Sequence, residues 1–378
     1  MFSLRVHRRI TVCALVVLGG ASTALMVLRD GGDPKLSTSL EADLGQIRAR
    51  PTISRIDLSG IPVRRPLAAY GALWTIVEDR ASGSRPLYRV DAHTGAISRV
   101  PFGRVKPQYL TAGLGAIWVA GCPHEEPTTN CSDGTVYRVD PATARITDRV
   151  EVGSNITSLA ADDTAVWVGK WTYVNNVPQP GSLLRLDPQT LALRRYSLRA
   201  LRTKRRPPCC IRMLAAGQGA VWVLFGDDSR LVRLDPKTGV LAQLDAYGSE
   251  VSIGEGAVWV EGRTTRLPSP AVEGTLRIDP ASGQVLSIGP VAASITAGNG
   301  VVWVAETSRD TNDRILKLTK LDPATGQQTG QPIWVEAGPP RIDFAGLPFG
   351  WRVQVAHASG VLWITVPDSY EAIRITAA

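Results

Sequence analysis

Seven tryptophans recur along this chain inside one pattern: a small-residue and glycine turn, a short apolar strand around the Trp, a variable gap, then a strand ending in a turn. They are Trp74, Trp118, Trp167, Trp222, Trp259, Trp303 and Trp363, separated by 37 to 60 residues. The closing turn reads Asp-Pro-x-Thr-Gly in its fullest form and follows six of the seven, at Asp91, Asp140, Asp187, Asp235, Asp279 and Asp322. A unit of several short strands at this period cannot bury its apolar faces alone. Copies stacked side by side can, and closing them into a ring removes the exposed end faces. The pattern predicts an all-β chain: a seven-bladed β-propeller of four-stranded blades over residues 53–378.

The second unit shows how the residues write the blade. Tyr109 to Ala112 is an inner strand, Gly113-Leu114-Gly115 a tight turn where positive φ is cheap, and Ala116 to Ala120 the Trp strand. Thr135-Val136-Tyr137-Arg138-Val139 alternates polar and apolar as a half-buried third strand does. Asp140-Pro141 then reverses the chain, Asp bonding the turn amides and Pro fixing φ. Arg145 to Val152 is the outer strand. Gly closes the turn in four of the six copies, and Ala144 and Leu191 replace it in the other two. The tryptophans, at a fixed place in each repeat, are expected in the core between neighbouring blades. Arg89, Arg138, Arg185, Arg233, Arg277, Lys320 and Arg374 recur on the third strand, where they pair with acids of the neighbouring blade, lie solvated, or form a ligand-binding ring.

The seventh unit stops one strand short. It has an inner strand (352–356), a Trp strand (361–366) and a third strand (372–376). Residues 53–58, Ile-Ser-Arg-Ile-Asp-Leu, precede blade one as an outer strand would. They are expected to close the ring and cover its open edge.

Ahead of the ring, residues 10–28 carry no charge and are long enough to span a bilayer as a single helix. Arg5, Arg8 and Arg9 in residues 1–9 would hold the N-terminus in the cytoplasm. Two readings stand: an uncleaved anchor, or a cleaved signal with Ser22-Thr23-Ala24 as the site. Either puts the ring outside the cytoplasm, in the cell envelope or secreted. Residues 29–52 read as a linker. Four cysteines beyond the span, Cys122, Cys131, Cys209 and Cys210, suggest disulfides in an exported domain. Cys122 and Cys131 bracket one loop and pair most simply with each other. Cys209 and Cys210 pair with one another or reach elsewhere. The net charge of +8 comes with no nucleic-acid motif, so no nucleic-acid partner is expected. Rare Lys with abundant Arg and Ala suggests a high-GC bacterial source.

From each Trp to its turn Asp the count runs from 13 to 22, so one face carries the variable loops. Loops on a rigid scaffold are where binding concentrates. On that face lie the basic run Arg202, Lys204, Arg205 and Arg206, and the aromatics Trp171, Tyr173, Phe344, Phe349 and Trp351. Arg212, Glu250 and Arg352 interrupt apolar inner strands and belong near the channel mouth, where charges need partners or water. Chemistry-bearing motifs are few. The chain has four histidines, none paired at metal-ligand spacing, and His124 stands beside Glu125-Glu126. Asp310-Thr311-Asn312-Asp313 lacks the terminal Glu of a calcium loop. No catalytic residue, metal or cofactor is assigned.

The Ala-x-Gly-x-Gly-Ala-Val-Trp-Val and Leu-x-Arg-Leu-Asp-Pro-x-Thr-Gly strings resemble the repeats of bacterial YncE/YVTN-type and streptogramin-lyase-like propellers. The resemblance spans residues 53–378 and is best at Ala215–Gly239 and Thr296–Gly326. It implies the seven-bladed fold. The lyase branch further implies magnesium-dependent lactone opening by histidine and glutamate on the loop-bearing face, which here would centre on His124. The turn also resembles quinoprotein-dehydrogenase repeats, which carry a Trp four residues after the Gly; Arg99, Gln243 and Ser287 stand there instead. The expectation is a membrane-anchored, extracytoplasmic, non-catalytic scaffold binding a protein or envelope component. The alternatives are a lyase of that type and a small-ligand sensor at the channel mouth.

Overall fold

Each Trp-centred unit folds into an up-and-down antiparallel sheet, and its inner strand lies at one edge. In a computed structural model, residues 51–62, 66–79, 81–123, 133–174, 177–198, 211–226, 229–264, 272–307, 314–341 and 353–376 are described, without the side chains of 172–180. All fall within one unit, residues 51–377.

The first sheet runs Leu67–Ala69, Ala72–Glu78, Leu87–Asp91, Ile97–Val100, with Ile61–Pro62 added beside the far half of the Trp strand. The second is Val105–Gly113, Ala116–Pro123, Thr135–Asp140, Arg145–Glu151, and the third Ile156–Ala161, Val166–Val174, Val177–Leu186, Leu193–Ser197. A seven-stranded sheet follows: Ile211–Gly217, Ala220–Phe225, Arg230–Leu234, Leu241–Gly254, Ala257–Thr264, Val272–Ile278, Val285–Ile288. The 37-residue spacing from Trp222 to Trp259 is the shortest in the chain and leaves no residues for a separate connection. The outer strand of one unit therefore runs straight into the inner strand of the next. Its first half pairs with Arg230–Leu234 and its second with Ala257–Thr264. Ser294–Gly298, Val301–Thr307, Ile315–Leu321 and Ile333–Glu336 form the next sheet.

The last sheet joins the two ends of the unit. Gln354–Ala358, Val361–Val366 and Glu371–Thr376 take Thr52–Asp57 as the fourth strand, Thr52 opposite Thr376 and Asp57 opposite Glu371. The expected closing strand 53–58 is thus in place, shifted by one residue.

Hairpin chemistry explains the regularity. Tyr70-Gly71, Leu114-Gly115, Gln218-Gly219, Glu255-Gly256, Asn299-Gly300 and Ser359-Gly360 all have positive φ at both positions, the turn whose twist suits antiparallel strands. The third sheet uses a different device. Asp162 Oδ1 accepts from the amides of Thr164 and Ala165, and its Oδ2 accepts the indole N–H of Trp167 at 2.9 Å. Elsewhere the indole donates to the carbonyl five residues back: Trp74 to Ala69, Trp118 to Gly113, Trp222 to Gly217, Trp259 to Gly254. Six of the seven tryptophans are at most 1% exposed and Trp303 is packed at a core margin, so they are core, as the sequence predicts.

The recurring third-strand arginines join sheets. Arg233 Nε donates to Pro280 O at 3.1 Å, Arg277 Nε to Pro323 O at 2.8 Å, and Arg374 Nη1 to the carbonyls of Ala92 and His93. Each reaches the Asp turn of the following unit. These three do reach the neighbouring unit, but they bond turn carbonyls there, not the acids the sequence led us to expect.

Candidate functional site

The inner strands surround a channel of about 620 Å³, lined by residues of all the inner strands from Pro66 to His357. Its mouth lies at the end of the Trp strands, where the variable connections leave. Four consecutive inner strands carry a β-bulge at this end. The register skips at Gln108, Thr157, Arg212 and Ser249, each ten residues before its Trp. A bulge leaves its extra residue out of the ladder and re-aims it. Arg212 is thereby turned out to solvent at the channel wall, with no hydrogen bond or ion pair among the described residues.

One residue further in, a row of side chains stitches each inner strand to the next. The Leu214 amide donates to Ser158 Oγ at 2.9 Å and the Val251 amide to Met213 Sδ at 3.4 Å. The Ile295 amide donates to Glu250 Oε2 at 3.3 Å, while Ser294 Oγ donates to Glu250 Oε1 at 3.1 Å. The Val355 amide donates to Ser294 Oγ at 3.2 Å. Inner-strand amides on the open edge would otherwise lack a partner, and this row supplies one. Glu250 is 8% exposed and spends both oxygens on the next sheet. It is a joint between sheets before it is anything else.

In the third sheet the middle hairpin outruns its inner strand. Pairing with the inner strand ends at Ile156 opposite Lys170, yet the hairpin continues through Thr172–Gln179 and Tyr173–Pro178 to Val174–Val177. Trp171 stands at its base, half-buried, its amide donating to Asn155 O. The Tyr173 side chain lies outside the described residues. Beneath the hairpin, Lys170 is buried and donates through Nζ to Val152 O. Burial, helped by the nearby Arg195 charge, pushes its ammonium down to about 8.

The remaining expected site residues are placed as follows. Arg202, Lys204, Arg205, Arg206, Arg352, Cys131, Cys209, Cys210 and His124 lie outside the described residues, as does the 10–28 span. Cys122 is buried at the end of the Trp strand Ala116–Pro123. His357 lines the far end of the channel, its Nδ1 3.3 Å from Gly298 O, and burial lowers its pKa. Among the described residues no helix is long and apolar enough to cross a membrane, and no three His, Cys, Asp or Glu converge as metal ligands.

Ser158, Met213 and Ser294 escaped the sequence reading, which marked Glu250 alone of this row. The signal was available, since each stands nine residues before its Trp. The residue types differ so much that only the shared partner, an amide of the next strand, unites these four.

No family model and no curated protein matches the sequence. Solved structures match over most of the chain. The WD40 β-propeller domain of Doa1 superposes with a TM-score of 0.50 at 11% identity, covering 85% of this chain and 96% of that one. The Cps50 (Swd1) β-propeller domain of Myceliophteria thermophila gives 0.53 at 11%, covering 86% and 100%. The uncharacterised protein lmo1340 from Listeria monocytogenes EGD-e gives 0.51 at 8%, covering 84% and 94%. At these identities the likeness establishes the fold, and the fold is a β-propeller.

Proposed function

We propose that this β-propeller is a non-catalytic binding scaffold with seven blades of the YncE/YVTN type, the seven-stranded sheet counting as two. Its partner is a protein or cell-envelope component held on the loop-bearing face. The observation that carries this reading is the hairpin of the third sheet. Residues 172–174 pair with 177–179 as a two-stranded ribbon beyond the pairing of the inner strand, which ends at Lys170, and of the outer strand, which begins at Ser182. Among the described residues no further strand pairs with either edge of that ribbon, the arrangement a partner strand or loop docks on. The WD40 likeness supports the same reading by analogy of fold only.

The same proposal takes residues 10–28 as a membrane anchor, the propeller as outside the cytoplasm, and the basic run 202–206 as a second contact. A bridge from Cys122 to Cys131 fits an exported domain and is supported by the disulfide state of Cys122.

The test is crosslinking and affinity capture of the full-length protein from its native envelope. Two variants run alongside, one with residues 172–179 replaced by a two-residue turn and one with Arg202, Lys204, Arg205 and Arg206 changed to Ser. A partner captured by the parent and lost by the ribbon variant, with unfolding unchanged, supports the scaffold. Capture that survives both changes overturns the assigned face.

A further inference from the structure

The stitched row runs through four successive junctions and breaks at the next, where the cause is a single residue. In four successive junctions the residue nine before each Trp accepts from, or faces, the next inner strand's amide eight before its Trp: Ser158 with Leu214, Met213 with Val251, Glu250 with Ile295, Ser294 with Val355. At the fifth, the acceptor is Gln354 and the next inner strand, Leu67–Ala69, lies beside it. The residue eight before Trp74 is Pro66, which has no N–H to give. The Gln354 carboxamide therefore has no hydrogen bond among the described residues, and it lines the channel with Pro66. An amide carries two donors and an acceptor, and a half-buried one left unused is a group available to a ligand.

Across the ring from Gln354, three junctions away, stands Arg212. It too lines the channel, and it has no hydrogen bond or ion pair among the described residues. Among the described lining residues it is the one cation with a fixed charge, and none of them is Asp or Glu: Glu250 is turned into the next sheet, and Glu261 accepts from Ser249. His357, at the far end, is held toward its neutral form by burial. A guanidinium in a walled channel focuses a positive field on whatever enters. Deeper in the channel, six or seven residues before each Trp, Ala68, Ala160, Ala161, Ala215, Ala216 and Ala297 line the wall beside Thr111 and Thr296. Those short side chains are why space remains, and the volume falls in the range that holds small ligands.

We propose that this channel binds a small organic carboxylate carrying a second hydrogen-bonding group, the carboxylate on Arg212 and the second group on Gln354. The site lies inside the ring and is independent of the partner-binding ribbon, so its failure would leave the scaffold reading untouched.

Isothermal titration with glutamate, gluconate and citrate tests it on the intact protein, with inorganic phosphate at matched ionic strength as the anion lacking a second group. The expected result is binding of at least one carboxylate with Kd below about 1 mM, and weaker binding of phosphate. Arg212→Ala should weaken that binding about tenfold or more, the loss of a charge-assisted contact. Gln354→Ala should weaken it about threefold to tenfold, the loss of a neutral hydrogen bond. Pro66→Ala restores the missing N–H, engages Gln354 in the row and should weaken binding while keeping the unfolding midpoint at or above the parent's. That variant separates a lost ligand contact from a damaged fold. The proposal is overturned if none of the three carboxylates gives heat, or if binding is indifferent to both Arg212→Ala and Gln354→Ala.

Discussion

Single carboxylates hold the six Asp turns. Asp91 Oδ1 accepts from the amides of Thr94 and His93, which hold its pKa down to about 2. Asp140, Asp187, Asp235 and Asp322 are lowered by the same pair of turn amides, and Asp279 chiefly by Ser282. A carboxylate whose folded pKa is depressed adds stability that is present above its unfolded pKa, about 4, and lost as pH falls through the folded value. The unfolding midpoint should therefore drop as pH is lowered from about 4 toward 2, and NMR titration of Asp91 should give a midpoint near 2. A flat stability profile across that range would contradict the turn mechanism. At the same turns, Gly95, Gly239, Gly283 and Gly326 hold positive φ where Ala144 holds φ 54° and Leu191 φ 59°. A side chain in that region costs about 1–2 kcal/mol, partly offset by the extra freedom glycine has when unfolded. Ala144→Gly should thus stabilise by about 0.5–1 kcal/mol in chemical denaturation. Both side chains pack at a core margin, and the larger Leu191 has more contact to lose, so the same change there should gain less.

At the scale of elements, the joints between sheets matter more than the sheets. The densest joint couples the strand Ile315–Leu321 to the 3-10 turn Pro367–Ser369. Arg314 forms a two-pronged pair with Asp368 at 2.8 and 2.9 Å, donates to Ser369 Oγ at 2.7 Å, and through Nε to Gly338 O at 2.7 Å. The Asp368 side chain is fully buried and that of Arg314 is 15% exposed. Removing one partner strands the other's charge, so Arg314→Ala should cost about 3–5 kcal/mol, seen as a large fall in the denaturation midpoint. Arg341–Asp57, half-exposed at 2.7 Å, should cost under about 1 kcal/mol when cut. Equal losses at the two pairs would show that burial does not set their weight. None of this joint was visible in the sequence, because Arg314 and Asp368 lie 54 positions apart and no repeat shares them.

For the whole molecule, closure rests on Thr52–Asp57 pairing with Glu371–Thr376. Deleting residues 51–58 leaves that strand with an unpaired edge, the template for association between chains. The truncated protein should aggregate at concentrations where the parent is monodisperse by light scattering. A peptide of residues 51–59 supplied in trans should reduce that aggregation. A truncated chain that stays monodisperse with an unchanged midpoint would remove closure from the list of what holds the ring.

The amino-acid sequence by itself determined the strands, the turns and the closing strand. These follow from local rules: φ sign at Leu114-Gly115, proline after Asp140, alternation in Thr135–Val139, and a Trp at one place per unit. It also marked Arg212 as a charge misplaced in an apolar strand. The tertiary structure alone decided what that charge faces, that Glu250 is consumed as a joint, and that Gln354 is left over. The physical reason is that a hydrogen bond between strands needs an acceptor on one and an N–H on the other. Which residues meet is fixed by stacking sheets in a ring, and Pro66 matters only because it lands opposite Gln354.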